Sequence, residues 1–374
     1  MEIVIIGAGV IGLATAWRAA AAGARVTLVD PEPASGASSV AAGMLTPVSE
    51  VTYGEEPLLR LGLASRDRYG AFAAELEELT GLETGYRTDG ILQVAFDSDD
   101  LTYLDELRRF QESLGIPAEA LTGRECRRLE PMLAPGVRGG LHAPEDGSID
   151  PRRLTTALLA AAGKTGVRLV RRRAAGIAVA NDAAAGARLD DGTVIPADRV
   201  LLAAGPWSGD LDGLPPGTVP PVRPVKGQVI RLRTRTPFLG RATRGLVKGS
   251  SVYLVPRADG EIVLGATQEE LGFDTRVTAG GLWELLRDAR ELVPGITELE
   301  FAEVSAGLRP GSPDNAPVMG PSALPGLVVG TGHFRNGILL TPVSADILSA
   351  MLLDEPVPGV AAPFSPGRFS AEVR

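Results

Sequence analysis

Residues 1–30 read MEIVIIGAGVIGLATAWRAAAAGARVTLVD. An apolar strand over Ile3 to Ile6 runs into Gly7-Ala8-Gly9-Val10-Ile11-Gly12, then an alanine-rich helix, then a second strand ending on Asp30. This is a dinucleotide-binding fingerprint in the strand–turn–helix–strand context it requires. Gly7 permits the tight turn out of the strand. Gly9 lets a pyrophosphate approach the backbone, and Gly12 lets helix and strand pack closely. The free N–H groups and the dipole at the helix start attract phosphates. Asp30 stands where a carboxylate accepts from a ribose 2′-hydroxyl and where its charge disfavours a 2′-phosphate. The pattern points to a dinucleotide and away from NADP, without separating FAD from NAD.

Composition narrows the class. A length of 374 residues suits two domains. Hydrophobic content of 44% and charged content of 22% are those of an ordinary globular protein. A net charge of −9 argues against nucleic acid, which needs a concentrated basic face. Arg171-Arg172-Arg173 is the only dense basic run and reads as a solvated strand edge. No apolar run reaches the roughly 18 residues of a membrane span, and the Met-Glu start leads straight into a core strand with no basic leader. The expectation is a cytoplasmic protein without membrane contact. The single cysteine, Cys126, excludes an internal disulfide. With only His142 and His333 beside it, zinc binding and histidine-based nucleophilic catalysis are not indicated.

Helical periodicity covers 55–80 and 98–115, and Ile91 to Phe96 reads as a strand. Asp150-Pro151 opens a helix as N-cap and first residue. Strands follow at 167–170, 176–179 and 199–203, the last feeding the glycine exit Gly205-Pro206-Trp207. Residues 227–234, 251–256 and 261–266 are β-rich, a helix follows near 280–292, and buried strands return at 304–307 and 327–330. A final helix is expected over about 337–353. Both ends of the chain carry glycine-rich strand exits, which predicts a Rossmann-like α/β cofactor domain over 1–50, 140–220 and 301–374. An α+β substrate domain on an antiparallel sheet, over 51–139 and 221–300, would be interleaved with it. The cleft between them is the expected site.

Four motifs stand in order: Gly7 to Gly12; Gly36-Ala37-Ser38-Ser39-Val40-Ala41-Ala42-Gly43-Met44-Leu45; Gly307-Leu308-Arg309-Pro310-Gly311-Ser312-Pro313-Asp314-Asn315-Ala316-Pro317-Val318-Met319-Gly320; and Gly332-His333-Phe334-Arg335-Asn336-Gly337-Ile338-Leu339-Leu340. Together they resemble the FAD-dependent oxidoreductases of the D-amino-acid oxidase group, and within it the glycine oxidases of the thiamine-biosynthesis type. The resemblance spans essentially the whole chain and is strongest at 1–45 and 303–345. It implies that Ser38, Ser39, Gly43, Met44 and Leu45 belong to the loop along the FAD pyrophosphate and under the flavin ring. Ala174 matches a position near the adenine where the family usually places valine. Gly332 to Leu339 resembles the turn and helix start that hydrogen-bond the flavin O2 edge.

The resemblance also implies that Arg309 and Arg335 hold the substrate carboxylate, a task that suits the planar guanidinium fork. Tyr253 would close the pocket with its hydroxyl. The competing readings are a surface ion pair for either arginine and an ordinary strand residue for Tyr253. For His333, packing or donation to the flavin is favoured over a role as general base. No cysteine follows the second arginine motif, where related sarcosine oxidases attach their flavin, so the FAD is expected to be non-covalent. The flavin would carry the chemistry, with no catalytic side chain singled out. The implied reaction takes glycine, sarcosine or small D-amino acids to imino or oxo acid, ammonia and hydrogen peroxide with molecular oxygen, in thiamine thiazole synthesis, by a homo-oligomer (a homotetramer by resemblance). The alternatives are a D-amino-acid dehydrogenase passing electrons to a quinone or carrier, a nicotinamide-dependent dehydrogenase, and a non-catalytic flavoprotein.

Overall fold

A computed structural model describes residues 1–247 and 249–369. The strand Glu2–Ile6 is flanked in parallel by Arg25–Val29 and Arg199–Leu202, with Ile3 in register with both Val26 and Arg199. The full order is Val318–Pro321, Leu327–Thr331, Arg199–Leu202, Glu2–Ile6, Arg25–Val29, Arg168–Val170. Only the edge strand Val318–Pro321 runs antiparallel. Its central strands carry near-continuous apolar runs, such as Ile3 to Ile6 and Val200 to Leu202, because both faces are covered. Ile3, Ile5, Leu28 and Leu201 meet a helical layer that includes Leu13, Trp17, Leu154, Leu158 and Ile347. Val4, Ile6, Val200 and Leu202 meet Ile177, Ala187 and Ile195 of a three-stranded sheet.

The second large element is an eight-stranded sheet ordered Glu300–Gly311, Arg223–Arg233, Glu261–Gly265, Ser250–Pro256, Ala242–Val247, Ile91–Ala95, Gly139–Ala143, Glu119–Thr122. All its pairs are antiparallel except Ala242–Val247 with Ile91–Ala95. The helix Ala279–Leu292 buries Leu285, Ala289 and Leu292 on one face. On the other face Ile91, Val229, Val255 and Val263 pack against Ala42 and its neighbours Val40 and Met44. The flavin-type loop therefore lies between the two sheets.

Two strands sit differently from the sequence reading. Gly139–Ala143 and Glu300–Gly311 both belong to the eight-stranded sheet, so boundaries at 140 and 301 fall at or inside its strands. Glu300–Gly311 pairs with Arg223–Arg233 from Glu300↔Arg233 to Gly311↔Arg223, a partnership that only the fold reveals. The last helix also differs. It is Thr341–Leu352, preceded by a 3₁₀ turn at Phe334–Asn336. Pro342 explains the late start: proline lacks an N–H and is tolerated only in the first helical turn.

That turn is tied to the helix Glu56–Thr80. Buried Tyr69 donates its hydroxyl to the carbonyl of Ile338 at 2.6 Å, and Ser65 donates to the carbonyl of Leu339 at 2.7 Å. Tyr69→Phe removes one of two hydrogen bonds to the Ile338 carbonyl, which also accepts from Thr341 N–H at 3.2 Å. It should cost about 0.5–1.5 kcal/mol of stability, read as a lower midpoint in guanidinium unfolding; an unchanged midpoint would show that the bond carries no weight.

Candidate active site

One cavity of about 640 Å³ runs between the two sheets, a volume suited to a cofactor and a small substrate. Its walls hold Gly7, Gly9, Val10, Ile11 and Asp30 at one end, then Ser38, Gly43, Met44, Ala174 and Gly205. Tyr253, Arg309 and the turn His333, Phe334, Arg335, Asn336, Gly337, Ile338 complete it. Four residues singled out from the sequence are not on this wall. Gly12 lies behind the turn, where a Cβ would sit 1.9 Å from the carbonyl of Gly7. Ser39 turns its hydroxyl back to the carbonyl of Gly36 at 3.0 Å. Leu45 is core, and Leu339 is buried beside a small adjoining pocket.

The dinucleotide end follows from the glycine turn. Gly7 adopts φ +103°, and a Cβ there would lie 2.3 Å from the carbonyl of Ala203, so the turn packs flush on the next strand. Gly9 is the N-cap of the helix Val10–Ala21 and supplies no side-chain cap. The Ser38 hydroxyl, 28 residues away, accepts from Val10 N–H at 3.1 Å. Asp30 accepts from Ala8 N–H and Glu32 N–H, both at 2.7 Å. Each of its oxygens keeps a second lone pair, and Asp30 lines the cavity. Arg172 is paired with Asp190 and Asp191, whereas Arg173 reaches the cavity wall beside Ala174.

At the other end, sheet register gathers the polar groups. Arg309 and Gly307 share a strand face with Gly227 and Val229 of the neighbouring strand, and Val229 is in register with Gly265, which faces Tyr253. The Arg309 guanidinium lies where a Cβ on Gly227 would be, within 2.4–2.6 Å, and the Tyr253 ring occupies the same space over Gly265. Missing side chains on two glycines thus make room for both groups. Arg309 Nη1 donates to the carbonyls of Lys226 and Thr267 at 3.3 and 3.2 Å, which leaves most of its five donors without an acceptor among the described residues. Arg335 is exposed at the rim, 5.4 Å from the Phe334 ring. Among the described residues neither Arg309 nor Arg335 has a carboxylate partner. An isolated bridge between Gly311 and His333 joins the strand of Arg309 to the turn of Arg335. Burial raises the Tyr253 phenol above its usual range, although Arg309 pulls it down.

Glu50 was not singled out from the sequence. It lines the cavity and pairs with Arg244 at 2.8 Å, and Arg244 is in register with Tyr253. Its loop is fixed by buried Asp146, which accepts from Ser49 N–H at 2.9 Å and from the Ser49 hydroxyl. No local sequence signal marks Glu50, because the burial of its neighbours Thr46 to Ser49 and Val51 is set by the fold. Cys126 is buried in the large sheet's core and lies off the cavity wall.

Residues 2–351 match the family described as FAD-dependent oxidoreductase. The bifunctional protein ThiO/ThiG of Synechocystis is 36% identical over 98% of this chain, which spans only 54% of that protein; the chain is thus about half as long as these relatives. Glycine oxidase of Geobacillus kaustophilus is 33% identical, covering 100% of this chain and 98% of its own. The crystal structure of glycine oxidase from Geobacillus kaustophilus superposes with a TM-score of 0.91 at 34% identity over 98% of both chains. A glycine-turned dinucleotide end, a small-residue loop between two sheets and this full-length similarity place the chain in the FAD-dependent oxidoreductase family, with FAD as its cofactor.

Proposed function

We propose that the protein is an amino-acid oxidase acting on glycine and other small primary or secondary amino acids, such as sarcosine and small D-amino acids. The observation that carries this reading is a pair of guanidiniums, Arg309 and Arg335, that have no carboxylate partner among the described residues and share a cavity with the dinucleotide turn. A cation without a partner at a cavity wall invites an anionic ligand, and a guanidinium matches a carboxylate bidentately. Arg309 would hold the substrate carboxylate from the sheet side and Arg335 from the rim, with the Tyr253 hydroxyl as a third donor.

When bound, FAD supplies the two-electron acceptor for the substrate Cα–H. The chain's own part is positioning and exclusion of water, which can lower a barrier by several kcal/mol without an acid or base. His333 fits that division of labour. It is fully buried, its Nε2 sits 3.0 Å from the Ser344 hydroxyl, and burial lowers its pKa to about 4. It is therefore neutral at pH 7 and held in place by Ser344. The amine would bind in its neutral form. Oxygen as acceptor with release of peroxide, and a place in thiamine thiazole synthesis within a homotetramer, extend the same proposal. The ThiO/ThiG and glycine oxidase relatives support the amino-acid oxidation and the thiamine role within it. A dehydrogenase that passes electrons to a quinone differs only in peroxide yield.

Three outcomes are expected. The purified protein should be yellow and should bleach when glycine or sarcosine is added without oxygen, and in air peroxide should form in equal amount to substrate consumed; no bleaching with any small amino acid would remove the substrate assignment. Arg309→Ala and Arg335→Ala should each raise KM for glycine about 10- to 100-fold, matching loss of a charge-assisted bond of roughly 1.5–3 kcal/mol. A wild-type KM would take that arginine out of the substrate site. Finally, His333 cannot take up a proton in the folded state until pH falls to about 4, whereas the unfolded chain does so near 6.5. The unfolded state thus binds more protons between these values. Stability should fall by up to about 3 kcal/mol as pH drops through that window. His333→Gln should flatten this part of a pH–stability curve, and an unaltered slope would rule His333 out as its source.

A further inference from the structure

The loop under the flavin is anchored from behind by arginines. Arg152 Nε donates to the carbonyl of Ser39 at 3.0 Å and Arg231 Nη2 to the same carbonyl at 3.3 Å. Arg257, 7% exposed, donates through Nη1 to the carbonyl of Ile149 at 3.0 Å and through Nη2 to that of Ala42. Arg152 and Arg231 also have acidic partners, Glu303 and Glu261. Arg257 has none among the described residues, and its Nε is unpartnered there. Burial draws its pKa down to about 10, so it stays charged at neutral pH. A buried cation that spends its donors on two backbone carbonyls is costly and calls for a reason.

The reason lies in a broken β-ladder. Met44–Leu45 pairs antiparallel with Gly147–Ser148, with Met44 opposite Ser148. The next pair along is Gly43 with Ile149. Ile149 N–H does donate to the Gly43 carbonyl, at 2.8 Å. In a regular ladder Gly43 N–H would return the bond to the Ile149 carbonyl. Here Gly43 has φ +77°, open to glycine alone, and a Cβ would lie 2.0 Å from that carbonyl. The return bond is not made, and Gly43 N–H has no protein acceptor among the described residues. Arg257 Nη1 takes its place on Ile149. Arg257 Nη2 draws the Ala42 carbonyl toward itself, away from the cavity, and in a trans peptide the following N–H points the opposite way. That N–H belongs to Gly43, which lines the cavity.

We propose that Arg257 is a positioning residue: it substitutes for the Gly43 N–H in the ladder, so that this N–H is presented to the flavin ring as a hydrogen-bond donor. The inference rests on the reading that residues 38–45 face the flavin end of FAD.

The test compares FAD with ADP, which lacks the flavin, on apoprotein of wild type and Arg257→Lys. Lysine keeps the charge but cannot bridge two carbonyls in a fixed fork. The Arg257→Lys apoprotein should keep its far-ultraviolet dichroism and bind ADP as wild type does, while its Kd for FAD rises roughly tenfold, the weight of one good hydrogen bond. Its bound flavin spectrum should also shift. Unchanged FAD affinity and spectrum, or equal weakening toward FAD and ADP, would overturn the proposal. A variant that does not fold leaves a wild-type measurement: amide hydrogen exchange at Gly43. Exchange should be fast in the apo and ADP-loaded protein and slowed at least about tenfold with FAD. Equal exchange in all three states overturns the proposal. Slowing by ADP as well as FAD would instead place the loop at the phosphates and overturn the reading beneath it. Failure to take up FAD at all, seen in absorbance, would count against the cofactor assignment itself.

Discussion

The antiparallel pairing of Glu300–Gly311 with Arg223–Arg233 is the constraint on which the site depends. It belongs wholly to the large sheet, yet its last residue, Gly311, bridges to His333 at the exit of the parallel sheet. A strand cannot slip by one residue without turning every side chain to the other face. The register that sets Val225 opposite Arg309 and Gly227 opposite Gly307 therefore also keeps Arg309 on the cavity side. A slip would turn that guanidinium toward the helix Ala279–Leu292 and leave Arg335 alone at the rim.

Around this pairing the site is built largely by omission of side chains. Gly227 and Gly265 leave the spaces that Arg309 and Tyr253 fill, and Gly7 leaves the carbonyl of Ala203 against the turn. Protein interiors are packed to crystal-like density, so a large polar side chain can lie flat on a sheet only where the sheet beneath it is bare. The same economy runs through the loop between the sheets. Ala42 and Val40 are small enough to pack on Val229, Val255 and Val263.

Much of the parallel sheet was legible in the sequence because its strands are continuous apolar runs closed by glycine exits. The helices with clear periodicity or a cap, such as Pro151–Lys164 behind Asp150, were legible for the same local reasons. Ala183–Leu189 and Ala242–Val247 were not. The first is nearly all alanine and glycine, which has no strand bias, and the second carries Arg and Gly within a short run. Their strand character comes from partners remote in sequence. The candidate site divides in the same way. Glycine turns announce themselves by type and spacing and the two arginines by the family motifs they stand in, whereas Glu50 and Arg257 acquire meaning only from what the fold sets beside them. Pro342 is a local signal for the start of the last helix at Thr341.

The electrostatics of the cavity follow from which cations are matched. Arg244 is paired with Glu50, Arg231 with Glu261 and Arg152 with Glu303. Arg309 and Arg335 face the cavity unmatched among the described residues, and Arg257 faces away from it onto carbonyls. On the proposed reading, the unmatched pair holds one carboxylate, and Glu50 beside it weakens the attraction for a second negative charge. Neutral His333 adds no charge of its own at pH 7. The balance of the pocket is thus set by which of its cations are paired, which on the proposed reading suits a site that works by holding its substrate in place.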